Sequence, residues 1–295
     1  MDPEPNDEET WTMSALDEPL LFVPDPRPPM HRQGPPRPTR PQAACVTMVG
    51  AGPGDPELLT LKAVKALQRA TLVLHDHLVS PEVLQFLPAD AERIYVGKES
   101  SRHTLSQASI IELMVKLARS GRALLRLKGG DGYIFGRGGE EVAALARAGV
   151  PFEVIPGITA AQGAGASAGI PLTHRDHARA LVYATGHLRE DREIDLDWVM
   201  LARPRQTVVI YMGVGTLPVI CHQLMGHGLA PHTPAAIVER ATRPDERCIT
   251  GTLATLAALA RTHRVQAPAL IVIGEVVALQ PLLAGAAHAT GAAPA

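Results

Sequence analysis

The stretch GGDGYIFGRGGEE, residues 129–141, brings together six glycines, one arginine and three carboxylates. Glycine loses more conformational freedom on folding than other residues, so such a cluster is typical of backbone that adopts unusual dihedral angles or that another group approaches closely. Arg137 and Glu140 lie three residues apart within it. A guanidinium and a carboxylate at this spacing can bind a carboxylate-bearing ligand and handle protons, or can form a surface pair at the start of a helix. The residues alone leave both interpretations open.

A second glycine-rich turn, VGAGPGDP, stands where a first strand is expected to lead into a first helix. This is the place of the dinucleotide fingerprint GxGxxG, but Asp55 occupies the third glycine position and Pro53 removes a backbone donor. A carboxylate at a helix N-terminus also competes with a bound phosphate. We therefore expect a tight strand-to-helix turn, and keep a dinucleotide-dependent oxidoreductase as the alternative from another class.

Further glycine clusters (KGGDG, PGIT, ATGH, YMGVG and IGE) follow other apolar runs. In an open α/β fold the loops after the carboxyl ends of the strands line the ligand crevice, so these clusters indicate one ligand held largely by backbone. Asp76 ends such a run and is a candidate for the crevice. His75 and His77 flank it, but two histidines without a third ligand are weak grounds for a metal site, and we expect none.

Composition excludes several classes of function. Residues 1–44 carry eight acids and four arginines, a net charge of −4, and the remainder, with 24 basic and 22 acidic residues, is +2. That balance is too mild for a nucleic-acid surface, and 3% aromatic residues offer few stacking platforms. No long apolar run suggests a membrane span, and the three cysteines have no CxxC spacing. We expect a cytoplasmic protein with a small-molecule ligand.

Apolar runs of strand length alternate with amphipathic runs of helix length, which predicts an α/β fold with a parallel sheet covered by helices on both faces. The segment IPGIT is the candidate junction between two domains, and one continuous sheet is the competing interpretation. Eleven of the 26 prolines fall in residues 1–44, which predicts a disordered start. The predicted units are a proline-rich tail, two α/β domains and a flexible tail, over 1–44, 45–157, 158–280 and 281–295.

Six motifs in this order carry a family resemblance: VGAGPGDPELLT, GGDGYIFGRGGEE, PGITAAQGAGASAGIPLTHR, YMG, TPAAIVERAT and PALIVIGEVV. They resemble the tetrapyrrole methylases that use S-adenosylmethionine (SAM), and FGRGGEE with GIPLTHR resembles the uroporphyrinogen-III C-methyltransferases among them. The resemblance covers roughly residues 45–280. It implies a homodimer of two-domain α/β subunits, each domain a mainly parallel or mixed sheet flanked by helices, with the active site in the trough between them.

The resemblance also implies which residues bind SAM and its product S-adenosylhomocysteine. The matching cofactor positions are Pro53, Gly129, Gly130, Asp131, Ile134, Thr159, Ala160, Met212, Ala241 and Leu270. Bare backbone at Gly129 and Gly130 is expected to wrap the adenosyl group, and Asp131 to face the cationic end of the methionine. The family usually has proline after GGD, where this chain has Gly132, so we predict a looser loop.

The implied reaction is C-methylation of uroporphyrinogen III at C2 and C7, through precorrin-1 to precorrin-2, without a metal. Arg137 and Glu140 match positions linked to catalysis, and with Arg175 and Met212 they match positions linked to substrate binding. Lys98, Arg102 and His103 form either part of a basic rim or a solvated loop. The alternatives are another methylase of the superfamily and a tetrapyrrole carrier without turnover. A dehydrogenase and ferrochelatase module is not expected, and the sequence leaves open whether the product leads to siroheme, cobalamin or haem d1.

Overall fold

The computed structural model describes residues 45–97, 105–187 and 194–289, and side chains as far as residue 284. The predicted disordered start over 1–44 lies outside the described residues. So do Lys98, Arg102 and His103, so the structure does not address the basic rim.

Five parallel strands form the first sheet of the described chain, in the order β3-β2-β4-β1-β5. Half of their residues are Val, Leu or Ile, and β1, β2 and β4 are buried along nearly their whole length, as in a sheet covered on both faces. The strands are β1 (Val46–Gly50), β2 (Leu72–His75), β3 (Glu92–Tyr95), β4 (Leu124–Lys128) and β5 (Phe152–Ile155).

Four helices cover the two faces of this sheet. They are α1 (Leu61–Leu67), α2 (Pro81–Leu84), α3 (Gln107–Arg119) and α4 (Gly138–Arg147). The side chains of Thr60, Ser80 and Ser106 accept hydrogen bonds from backbone N–H groups in the first turns of α1, α2 and α3, which fixes where these helices begin. Residues of α1 and α2 pack on one face and residues of α3 and α4 on the other.

The second sheet also has five strands in the described chain, in the order β6-β7-β10-β8-β9. β6 and β7 are parallel, whereas β10 pairs antiparallel with both β7 and β8, and β8 pairs antiparallel with β9. The strands are β6 (Ala180–Thr185), β7 (Gln206–Tyr211), β8 (Pro234–Glu239), β9 (Arg247–Thr252) and β10 (Ala269–Ile273). The helices of this half are α5 (Ala160–Ser167), α6 (Trp198–Leu201), α7 (Leu217–Gly226), α8 (Leu253–Thr262) and α9 (Gln280–Ala289).

The second sheet is likewise covered on both faces. Residues of α6, α7 and α8 form a core on one side, and α5 packs on the other together with the 3-10 turn Glu275–Leu279. Residues 156–159 therefore lead directly from the edge strand of the first sheet into a core helix of the second half.

The predicted fold class is confirmed, because the chain forms one parallel and one mixed sheet, each flanked by helices. The competing interpretation of one continuous sheet is wrong. The sequence analysis did not predict α5 within PGITAAQGAGASAG. The predicted flexible tail from residue 281 also needs correction, because Gln280–Ala289 form a helix.

No helix in the described ranges is both long and apolar enough to cross a membrane.

Candidate active site

Three glycines at strand ends of the first sheet pack main chain against main chain. A Cβ added to Gly50 would lie 2.5 Å from the nitrogen of Gly157 and 2.7 Å from the carbonyl oxygen of Gly130. Gly130 also pairs with Gly52, through N–H···O bonds of 2.7 and 3.1 Å. These glycines are therefore required by contact between neighbouring loops, whatever ligand those loops bind.

Gly129 has a different reason to be glycine from the one expected. A Cβ there would lie 2.6 Å from the Cβ of Leu78, so the space beside it holds this side chain. At Gly130 φ is 63°, in the left-handed region, and an added Cβ would lie 3.6 Å from the nitrogen of Ala160, an ordinary contact. Contact of either residue with an adenosyl group stays a prediction.

Asp131 stabilises the glycine-rich loop between β4 and α4, called the glycine loop below. One carboxylate oxygen accepts from the backbone N–H of Tyr133 at 2.8 Å, and the other accepts from the N–H of Gly157 at 3.0 Å. The expected role toward the cationic end of the cofactor is untested, and the observed role is to fix the loop against the end of β5.

The glycine loop is also joined to the second half of the chain. Ile134 packs against the core under α5, and the ring of Phe135 lies 4.8 Å from that of Tyr211. The hydroxyl of Tyr211 lies 2.6 Å from that of Thr159 and accepts from the N–H of Ala161 at 3.0 Å, so Tyr211 fixes the start of α5. Burial raises the pKa of Tyr211. Thr159 directly precedes α5 and makes no capping hydrogen bond of its own, and its buried side chain instead positions the hydroxyl of Tyr211.

The turn GPGD makes a second connection between the halves. A Cβ at Gly163 of α5 would lie 2.5 Å from Cγ of Pro53, and the N–H of Asp55 donates to the hydroxyl of Thr242 at 3.1 Å. The strand-to-helix turn expected from the sequence is thus packed against the second half.

A cavity of about 360 Å³ lies where these connections meet. It contains five of the ten predicted cofactor positions: Pro53, Ala160, Met212, Ala241 and Leu270. Met212 is half exposed, with φ at 55°, directly after β7. The other five predicted positions are not among the lining residues. Their observed contacts are with neighbouring loops and with the start of α5, as described above: Gly129, Gly130, Asp131, Ile134 and Thr159.

The lining includes residues that the sequence analysis did not select. Leu78, Tyr211, Val238, Arg243 and Pro268 are among them. Tyr211, Val238 and Pro268 lie inside the motifs YMG, TPAAIVERAT and PALIVIGEVV but were not selected, whereas Arg243 directly follows the second of these motifs.

Asp76 lies in a neighbouring cavity of about 290 Å³, which shares Leu78, Arg243 and Pro268 with the first. Its carboxylate accepts from the N–H of Leu78 at 3.2 Å and lies 3.6 Å from Nη2 of Arg126. The candidate carboxylate of the sequence analysis is therefore partly exposed at the crevice, beside a buried cation.

A buried charge network, which the sequence analysis missed, lies at the carboxyl end of β4, the central strand of the first sheet. Glu141 has no solvent exposure and accepts from Nζ of Lys128 at 3.1 Å, Nε of Arg126 at 3.3 Å and the amide of Gln107 at 3.0 Å. Burial, reinforced by Arg126, lowers the pKa of Lys128, and Glu141 and Asp76 act against that shift. The sequence does contain a signal for this network. Arg126 and Lys128 lie on one face of the buried strand LLRLK, and because buried cations require a partner, an acidic residue is expected beside them.

Arg137 and Glu140 form a bidentate pair at the start of α4. Nε and Nη2 of Arg137 donate to the two carboxylate oxygens at 2.8 and 2.7 Å, and both side chains are about half exposed. The hydrogen bond from Arg137 lowers the pKa of Glu140. Arg175 is exposed on a shallow surface hollow with Arg179. None of the three lines the 360 Å³ cavity.

Comparison with known proteins decides the family. The model of the tetrapyrrole (corrin/porphyrin) methylases matches residues 45–257. The chain belongs to this family. A siroheme synthase of Thioalkalivibrio sulfidiphilus is 54% identical over 245 residues, which are 83% of this chain and 50% of that protein. The methylase chain thus spans about half the length of the curated relatives it matches.

Solved methylase structures have the same fold. A uroporphyrin-III C-methyl transferase of Thermus thermophilus, solved with S-adenosylhomocysteine, is 43% identical, with a TM-score of 0.67 over 79% of this chain and 92% of that one. A cobalt precorrin-4 methyltransferase is 26% identical, with a TM-score of 0.72 over 81% of this chain and 98% of that one.

The family uses SAM, and the cavity of this methylase fits such a group. Its walls are mainly apolar, as is usual for sites that bury a small organic ligand, and Arg240 and Arg243 are among the lining residues. Within the described ranges no three His, Cys, Asp or Glu side chains come together as a metal site.

Proposed function

We propose that this methylase transfers methyl groups from SAM to C2 and C7 of uroporphyrinogen III, giving precorrin-2 through precorrin-1. The observation that carries the proposal is the cavity of about 360 Å³ lined by Pro53, Ala160, Met212, Ala241 and Leu270, positions that the family resemblance assigns to the cofactor. The relatedness to a uroporphyrin-III C-methyl transferase supports the choice of substrate.

Pro53, Ala160 and Leu270 hold the adenosyl group by apolar contact, and Met212, half exposed and with a positive φ, lines the same cavity. When bound, SAM supplies a methyl group on a positively charged sulfur. Alignment of the donor with an electron-rich pyrrole carbon is then the main task of the protein.

The substrate carries carboxylate side chains, so exposed arginines near the crevice suit it. We assign Arg137 and Arg175 to these carboxylates. Glu140 orients the guanidinium of Arg137 through the bidentate pair. Met212, after β7, contacts both ligands.

The ring carbon that gains the methyl group already bears a side chain and carries no hydrogen, so the proton that restores neutrality after the transfer has to leave from another position of the macrocycle. Asp76 is a partly exposed carboxylate in the cavity next to the proposed cofactor site, 3.6 Å from Nη2 of Arg126. We assign Asp76 as the proton acceptor.

The assembly proposed here is a homodimer, whose subunits have domains over residues 45–157 and 158–280. Because the chain spans half of its siroheme synthase relatives, the proposal is confined to the methylation step.

The test is to incubate the purified chain with SAM and uroporphyrinogen III without oxygen and to record the absorbance of precorrin-2. Binding of S-adenosylhomocysteine is measured in parallel by calorimetry. Binding without turnover on uroporphyrinogen III, but with turnover on a later precorrin, would assign the chain to another methylase of the family. Binding of NAD in place of S-adenosylhomocysteine would support the oxidoreductase alternative.

A further inference from the structure

Arg243 lies where three cavities of the described chain meet. It lines the 360 Å³ cavity proposed for the cofactor, called the cofactor cavity below, and the 290 Å³ cavity that contains Asp76. It also lines a third cavity of about 600 Å³ beside the turn at Asp55. A side chain in this place can contact ligands on either side of it.

The stem of Arg243 is held by the first half of the chain. A Cβ at Gly54, where φ is 152°, would lie 2.9 Å from Cγ of Arg243 and 3.1 Å from its Nε. Glycine at this position leaves room for the stem. The guanidinium is therefore placed before any ligand arrives, which reduces the entropy lost on binding.

The guanidinium is nevertheless short of acceptors. Its Nε is buried without a hydrogen-bond partner, and Nη2 makes one long bond, of 3.5 Å, to the carbonyl of Leu78. No carboxylate among the described residues forms an ion pair with it. The neighbouring Arg240, in contrast, pairs with Glu239 at 2.8 Å and Asp245 at 2.7 Å.

A partly buried cation without a partner is costly, and an anionic ligand that pairs with it recovers that cost. The planar fork of arginine matches a carboxylate, which can accept two parallel hydrogen bonds. We propose that Arg243 binds a carboxylate of a ligand at this site. This inference rests on the proposed function, and the carboxylate belongs either to the methionine part of SAM or to a side chain of the tetrapyrrole.

Calorimetry and kinetics on the full chain separate these two sources. Arg243→Gln is compared with the wild type for binding of S-adenosylhomocysteine, for binding of 5′-methylthioadenosine, which lacks the carboxylate, and for the KM of uroporphyrinogen III. Arg69→Gln is the control, because Arg69 is an exposed arginine at the opposite, amino-terminal edge of the first sheet.

If the cofactor supplies the carboxylate, Arg243→Gln weakens S-adenosylhomocysteine binding about 10- to 100-fold and leaves methylthioadenosine binding unchanged. If the tetrapyrrole supplies it, the KM rises by a similar factor and S-adenosylhomocysteine binding is unchanged. Arg243→Lys is expected to cause a smaller loss of affinity, because lysine keeps the positive charge but cannot donate two parallel hydrogen bonds to one carboxylate.

The proposal is overturned if Arg243→Gln behaves like Arg69→Gln in all three measurements. It is also overturned if both adenosyl ligands weaken equally with no rise in KM, because that pattern reports a change in packing. Should the variants not fold, wild-type affinities for carboxylate methyl esters of both ligands replace them, and the proposal fails if neither ester binds at least about 10-fold more weakly. A wild-type chain without methyl transfer is instead a failure of the proposed function.

Discussion

Nζ of Lys128 lies 3.1 Å from Oε1 of Glu141, and the two side chains are 5% and 0% exposed. Arg126 shares the same carboxylate, so a single buried anion serves two buried cations. The charge balance at the carboxyl end of β4, the central strand of the first sheet, therefore depends largely on one glutamate.

Glu141→Gln should lower the free energy of unfolding by about 3–5 kcal/mol at neutral pH, because Lys128 loses its ion-pair partner and Arg126 keeps only the more distant Asp76. The folded-state pKa of Lys128 is already lowered, and loss of Glu141 lowers it further. In the window between that pKa and the ordinary lysine value, the unfolded chain binds more protons than the folded chain. The variant should therefore recover stability as pH rises through this window.

Urea denaturation over a series of pH values measures this effect. Glu140→Gln is the matched control, since Glu140 is half exposed and pairs with a half-exposed arginine; its cost should stay within about 1 kcal/mol. Equal costs for the two variants would contradict the buried network.

Gly163→Ala should destabilise the protein although alanine favours a helix. The added Cβ would lie 2.5 Å from Cγ of Pro53, and overpacking typically costs about 1–3 kcal/mol. Because Pro53 lines the cofactor cavity, binding of S-adenosylhomocysteine should weaken as well. Gly226→Ala in α7 meets nothing within 4 Å and should stabilise by about 0.5–1 kcal/mol. Thermal unfolding and calorimetry of the two variants provide the comparison, and a stabilised Gly163→Ala would refute the contact.

Gly132→Pro should stabilise the glycine loop by about 0.4–1 kcal/mol and tighten S-adenosylhomocysteine binding. Ile134 donates its N–H to the carbonyl of Asp131 at 3.2 Å, so Gly132 is the second residue of a turn, a place that proline favours. An added Cβ would press on Sδ of Met48 at 3.0 Å. Gly132→Ala controls for that contact without the ring, and a proline variant weaker in binding than the alanine variant would count against the prediction.

Arg137→Lys should lower kcat much more than it weakens S-adenosylhomocysteine binding, because lysine cannot reproduce the bidentate geometry with Glu140. Stability should change by less than about 1 kcal/mol, since both side chains are half exposed. Arg147→Lys, an exposed change on the same helix, serves as control. Turnover equal to that of the control would remove Arg137 from the mechanism.

The sequence predicted those elements whose apolar spacing is distinct. TLVLHD and RALLRLKG are short apolar runs that predict strands, and ASIIELMVKLARSG has a helical stripe that predicts a helix; β2, β4 and α3 lie close to these segments. The helix α5, AAQGAGAS, has small residues on all sides, and its place is set by packing on Pro53 and Tyr211. No local pattern contains that information.

The residues of the candidate site also fall into two groups, those that the sequence motifs identified and those that only the structure identified. Pro53 and Met212 lie within motifs, so the resemblance found them. Arg243 was missed because its contacts, to Gly54 and Leu78, are with residues far away in the chain. Glu141 was missed for a simpler reason: no local pattern distinguishes the two adjacent glutamates, and only the structure shows that the second of them is buried.

The position of β10 has a consequence for synthesis of the protein. It is the last strand of the described residues, yet it lies in the middle of the second sheet, between β7 and β8, and Pro268, Ala269 and Leu270 at its start line the cavity proposed for the cofactor. A nascent chain that has not yet released these residues from the ribosome has neither a continuous second sheet nor a finished ligand pocket. The complete ligand pocket therefore exists only after β10 has been inserted between β7 and β8.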